Sequence, residues 1–177
     1  GRASSAVVSL PVDTAEQVPA AEARTAGVPL PADRAAAVAA SGDSVVVIDV
    51  PAEAELATPV RIAVDGKGGD KRANAHLVIE AKQHSKALVI LEHTGSAQVT
   101  ANVEIVTGDG ADLTVVTVQR WEDDANHLGQ HDALVGRDAT YKHIAVSLGG
   151  GMSDQALTEL MDWWTYIMYE AQAQFYD

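Results

Sequence analysis

From Val45 to Leu148 the chain alternates short runs of β-branched and aliphatic residues with polar breaks rich in Gly and Asp. Runs at Val45 to Val50, Val60 to Val64, Leu77 to Glu80, Leu88 to Leu91, Val99 to Val106, Leu113 to Val118 and Tyr141 to Leu148 have the length and residue types of strands. No proline lies between Pro59 and Gly149, as expected where most backbone N–H groups join a ladder. The pattern predicts a region that is nearly all strand.

A weak repeat underlies these runs. Ala87, Ala111 and Ala139, spaced by 24 and 28 residues, each enter a strand after the polar pairs Ser85-Lys86, Asp109-Gly110 and Arg137-Asp138. Ile79, Val103 and His131 stand eight residues before them, on the preceding run. In one reading each period is a coil of a β-solenoid, its strands stacked at ~4.8 Å and the three alanines in one vertical column. In the other the runs form an antiparallel sandwich with evenly spaced hairpins. Periodicity alone leaves both open.

The flanks differ from this core. Residues 1–44 are rich in Ala, Pro and Ser and read as an extended arm. A short helix is expected there, with Pro31 at its first position, Ala32 to Ala40 propagating it and Gly42 just past its end. Residues 151–177 hold all three Met and six of the eight aromatics, with no Lys or Arg. Leu157, Leu160, Met161, Trp164, Ile167, Met168, Ala171 and Phe175 fall at spacings of three and four, which predicts an amphipathic helix capped by Ser153. Leu160, Trp164, Ile167, Met168 and Phe175 are its candidate interface. They are expected to pack across the open end of the solenoid or against a second copy.

Charge and composition narrow the function. Twelve Lys and Arg against 25 Asp and Glu give a formal charge of −13, which repels phosphate backbones and anionic lipid, so neither nucleic acid nor a membrane surface is an expected partner. With no Cys there is no disulfide, no thiolate ligand and no thiol nucleophile. Residues 1–10 lack the basic and apolar regions of a signal peptide, which makes the cytoplasm the expected location.

Candidate chemistry is sparse. His127 and His131 are four apart beside Asp132, with Glu122, Asp123 and Asp124 upstream. On a helix they would share a metal-binding face. In a polar loop entering a strand, residues four apart lie ~13 Å from each other, so the sequence predicts solvated histidines and no metal site. His76, His84, His93 and His143 read as polar residues at strand ends or between strands. The glycines of Asp65-Gly-Lys-Gly-Gly-Asp70 lack the following helix and Lys-Ser or Lys-Thr of a phosphate loop, and read as a turn. No Gly-x-Ser-x-Gly elbow is present. No catalytic, cofactor-binding or metal-ligating residue is assigned, and an enzyme is not expected.

The stretch AHLVIEAKQHSKALVILEHTGSA, then GADLTVVTVQRWEDDANHLGQHDALVGRDATYKHIAVSLGG, closely resembles the SufD subunit of the SUF iron–sulfur cluster assembly machinery. Residues His127-Leu-Gly-Gln-His-Asp, Gly136-Arg-Asp-Ala and Leu148-Gly-Gly carry most of that match, which covers about residues 1–150. The resemblance implies a mainly β chain: a right-handed parallel β-helix over residues 45–150, between the arm and the C-terminal helix. It implies a scaffold role beside SufB-like and SufC-like partners, with the cluster as family context and no cofactor on this chain. The segment after Gly150 departs from the family, and the regions for cluster chemistry and ATPase docking are not matched. The alternative is a solenoid platform carrying an appended interaction or dimerisation helix. A solenoid carbohydrate-active enzyme is more remote, since no cluster of acids and bases marks one strand face.

Overall fold

The computed structural model describes residues 7–9, 15–19 and 44–149. Eight strands form it: β1 (Val7–Ser9), β2 (Ala15–Pro19), β3 (Ser44–Val50), β4 (Val60–Ala81), β5 (Lys86–Thr107), β6 (Asp112–Trp121), β7 (Asn126–Val135) and β8 (Thr140–Ser147). All pairing from β3 onward is parallel. The runs at Val60 and Leu77 merge into β4, and those at Leu88 and Val99 into β5. Each of these long strands therefore serves two faces of a solenoid. The first part of β5 pairs with β6 and the second with β7, so the chain bends at residues 95–97 from one sheet to the other.

Coil length sets which side chain covers which. Lys86 pairs with Asp112, and Asp112 with Thr140, steps of 26 and 28 residues. Leu77 pairs with Val103, and Val103 with His131, again steps of 26 and 28. The solenoid reading holds, with one correction to its register. Ala111 does stand beside Ala139, because Asp112 pairs with Thr140, but its neighbour in the coil before is Ser85, since Asp112 pairs with Lys86. Ala87 lies over Leu113. Likewise Ile79 pairs with Ile105, two positions from Val103. An offset of two preserves the strand's face, which is why the expected residues are nonetheless inward.

Alternation follows from this stacking. Val60, Ile62 and Val64 in β4, Val89 and Leu91 in β5, and Leu113 and Val115 in β6 point inward and are buried. From the other sheet Ile48, Ile79, Val103 and Ile105 meet them. Burying each such side chain contributes ~1.5–3 kcal/mol, so these columns are the main source of stability.

Tight turns make one edge of the solenoid. Backbone N–H groups of Ala54, Ser85, Ala111 and Ala139 donate to the carbonyls of Pro51, Lys82, Gly108 and Gly136 at 3.1–3.3 Å. The third residue of each turn, Glu53, His84, Gly110 or Asp138, has φ between 55° and 67°. Successive turns are also laddered: His84 N–H donates to the Asp109 carbonyl and Gly110 N–H to that of Arg137, both at 2.9 Å. The opposite edge is irregular. Four residues of β4, 68–71, stand opposite Ala97 alone, which places the Gly-rich stretch in a bulged bend and agrees with its reading as a turn. Gly95, at φ 77°, passes so near Gly66 that a Cβ would collide with its carbonyl oxygen.

The arm contributes more than extension. β1 pairs antiparallel with β4, and β2 with β3, so each sheet receives an antiparallel strand at its first edge. Such pairing satisfies N–H and C=O groups that would otherwise template aggregation. The expected helix at residues 31–40 and the C-terminal helix lie outside the described residues. No helix among the described residues is long and apolar enough to cross a membrane.

Two substitutions test this packing by chemical denaturation. Leu91→Ala should cost ~2–5 kcal/mol through the cavity it leaves. Gly95→Ala should cost ~1–3 kcal/mol through backbone strain. Losses below about 0.5 kcal/mol, the usual range for ordinary surface positions, would contradict the described coil geometry.

Candidate functional site

The inward columns change character toward the last described coil. One runs Val60, Val89, Val115 and then His143. Another runs Val46, Leu77, Val103 and then His131. A third runs Ala73, Val99 and then His127, and a fourth runs Val64, His93, Gln119 and Ser147. Each sheet keeps its inward parity, so an imidazole takes the place that a branched aliphatic holds one coil earlier. Four of the six histidines thus enter the lumen.

They form two groups. The ring centroids of His93 and His127 lie 5.1 Å apart, and Trp121 stands 5.5 Å from the first and 5.6 Å from the second. His131 and His143 stack at 4.6 Å with an interplanar angle of 14°. The Nε2 of His143 lies 3.0 Å from the Thr117 hydroxyl. His93 Nδ1, His127 Nε2, His131 Nδ1, Trp121 Nε1 and the Tyr141 hydroxyl are buried with no hydrogen-bond partner. This concentration is unusual, since buried polar atoms are nearly always paired.

Burial sets the electrostatics. Loss of solvent pushes His93 and His131 down to about 3 and His127 to about 4, from an ordinary 6.5. The His127 ring adds repulsion at His93, and the His143 ring, then the other two, at His131. His143 is lowered by the same loss of solvent, and burial raises the Tyr141 phenol. All four rings are neutral near pH 7, with lone pairs available. They are suited to accept hydrogen bonds or to ligate, and poorly suited to carry protons.

These positions correct two expectations. His127 and His131 are not in a solvated loop: they lie on β7, four apart on its inward face. They do not meet each other, as strand spacing requires, but each meets a histidine of the opposite sheet. His93 and His143 are luminal rather than superficial, and His76 is also sheltered, its Nε2 2.8 Å from Glu104 Oε1. His84 fits its reading, exposed in a corner turn, and His76 fits as a polar residue between strands. The alternation Val89, Leu91, His93 carried the missed signal for one ring, and Tyr141, His143, Ala145 for another. Among the described residues, no three His, Asp or Glu side chains are grouped so as to hold a metal ion.

Outside the lumen, Glu104 Oε1 also accepts from Asn102 Nδ2 at 2.9 Å, and both residues are buried. Glu122, Asp123 and Asp124 form an exposed turn between β6 and β7, as expected. The candidate interface residues Leu160, Trp164, Ile167, Met168 and Phe175 lie outside the described residues. Among the described residues, the exposed large apolar side chains, Leu128, Leu134, Val135, Ile144, Val146 and Leu148, all belong to the last described coil.

The described residues thus form a parallel β-solenoid whose first coils are aliphatic and whose last described coil is lined by imidazoles. Residues 63–160 match the SUF system FeS cluster assembly SufBD core domain, and the chain belongs to that family. The match runs past Gly150 into the segment that the sequence sets apart. An iron–sulfur cluster assembly SufBD family protein of Mycobacterium leprae is 40% identical over 107 residues, covering 60% of this chain and 27% of that protein. Counterparts from Mycobacterium bovis and Mycobacterium tuberculosis are each 36% identical over 108 residues, covering 61% of this chain and 27% of theirs. The chain thus matches about a quarter of the length of these relatives. No solved structure matches it.

The buried imidazoles make stability depend on pH. Their folded pKa values lie below the unfolded value of 6.5, so the unfolded chain binds more protons. Stability is full above that value and falls as pH drops from 6.5 toward 3, by at most ~1.4 kcal/mol per pH unit for each histidine. Denaturation between pH 7 and 4 should show this loss, and His131→Leu should flatten it. An unchanged slope in the variant would place His131 in solvent.

Proposed function

We propose that the chain is a SufD-like scaffold component of iron–sulfur cluster assembly, acting in the cytoplasm beside SufB-like and SufC-like proteins. The observation that carries this reading is the union of a SufBD core match with a solenoid of stacked parallel strands. In this reading the coils wind right-handed, the hand that parallel crossover connections overwhelmingly adopt. The chain catalyses nothing itself and holds no resident cofactor; the cluster is cargo of the assembly. Its rigid coils present a fixed outer surface to partners.

A second reading is favoured by one observation: the exposed apolar side chains cluster in the last coil, beside the start of residues 150–177. In it the tail, through Leu160, Trp164, Ile167, Met168 and Phe175, covers that coil or joins two copies. The two readings differ in what co-purifies. A tagged full chain, expressed with SufB-type and SufC-type proteins of the same organism, should retain both through size exclusion. Recovery of a homodimer alone, dispersed on removal of residues 152–177, would contradict the scaffold reading and support the second.

A further inference from the structure

Inside the solenoid, the His93 and His127 rings present two unpartnered nitrogens, His93 Nδ1 and His127 Nε2, on opposite walls of the lumen. Two imidazoles bound to one tetrahedral ion at ~2.1 Å have ring centroids about 5 Å apart. The observed separation is 5.1 Å.

The surroundings suit a cation. Gly129 continues the column of Ala75 and Ala101 with no side chain. A Cβ there would stand 3.3 Å from His127 Nε2, so the glycine leaves room beside that nitrogen. The connection from Trp121 to His127 carries Glu122, Asp123 and Asp124, all exposed, whose negative field offsets part of the cost of a divalent charge. Because burial keeps both rings neutral, protons do not compete at neutral pH.

We infer that His93 and His127 form a two-imidazole site for a first-row divalent ion, Cu²⁺ ahead of Zn²⁺, with water or a small ligand completing the coordination. Imidazole donors and the stability order of these ions set that preference. The pair falls short of a full protein ligand set, so the ion exchanges and the site is filled by exposure to metal. The His131–His143 pair is not a second such site. Its rings stack nearly parallel and His143 Nε2 is engaged with Thr117, so their nitrogens do not converge.

The test is titration of the metal-free full chain with Cu²⁺, read by electron paramagnetic resonance. One ion per chain with coupling to two imidazole nitrogens is expected, lost in His127→Phe and retained in His84→Ala and His143→Phe. Should His127→Phe fail to fold, nitrogen-15 spectra of the unmodified chain with Zn²⁺ decide instead: selective shifts at His93 Nδ1 and His127 Nε2 are expected. Binding that survives His127→Phe, shifts confined to His84, or absence of saturable binding would each overturn the site.

Discussion

Backbone hydrogen bonds between successive coils decide which residue lies over which, and everything else in the described structure depends on that register. From Lys86 to Asp112 to Thr140, and from Leu77 to Val103 to His131, each residue is covered by one 26 or 28 positions later. Residues paired across parallel strands point to the same face, so inward positions stay inward from coil to coil, including across the 29 residues from Val60 to Val89. The tight turns reinforce the register, because the ladder through His84, Asp109, Gly110 and Arg137 continues along the edge. The irregular bend at residues 68–71 absorbs a length difference between coils without disturbing the strands on either side.

Register also explains the gradient along the lumen. Early coils are closed by Val, Ile and Leu, and their outer edges by the antiparallel strands β1 and β2. Toward β7 and β8 the same columns place His127, His131 and His143 where aliphatics stood. Burial then holds these rings neutral, and packing of His93 and His127 around Trp121 fixes their orientation. The last described coil thus holds imidazoles, a phenol and an indole with unpartnered polar atoms. A segment packed on this last coil meets polar groups inside and apolar ones, such as Ile144 and Leu148, outside.

Much of this fold is legible in the chain. The β-branched runs fall in strands, the polar pairs at residues 109–110 and 137–138 lie in tight turns and that at 85–86 at the exit of one, and the family resemblance agrees with the SufBD match. β7 escapes the pattern because Asn126–Val135 is polar for a strand with an inward face, its inward residues being two histidines and a glycine before Ala133. The alanine spacing puts the register two residues off because Ala87 resembles Ala111 in its setting while Ser85 occupies the equivalent place. The imidazole pairs are not legible from spacing within one strand. Each joins residues of opposite sheets, and only the coil register brings them together.

The central claim is that this register places the histidines inside. Nuclear Overhauser contacts in solution test it most directly. The His131 ring should contact the methyls of Val103 and the His143 ring those of Val115, and the His131 ring should not protonate near 6.5. A sharp His131 signal titrating near 6.5, with neither His131 nor His143 in contact with those valines, would contradict it.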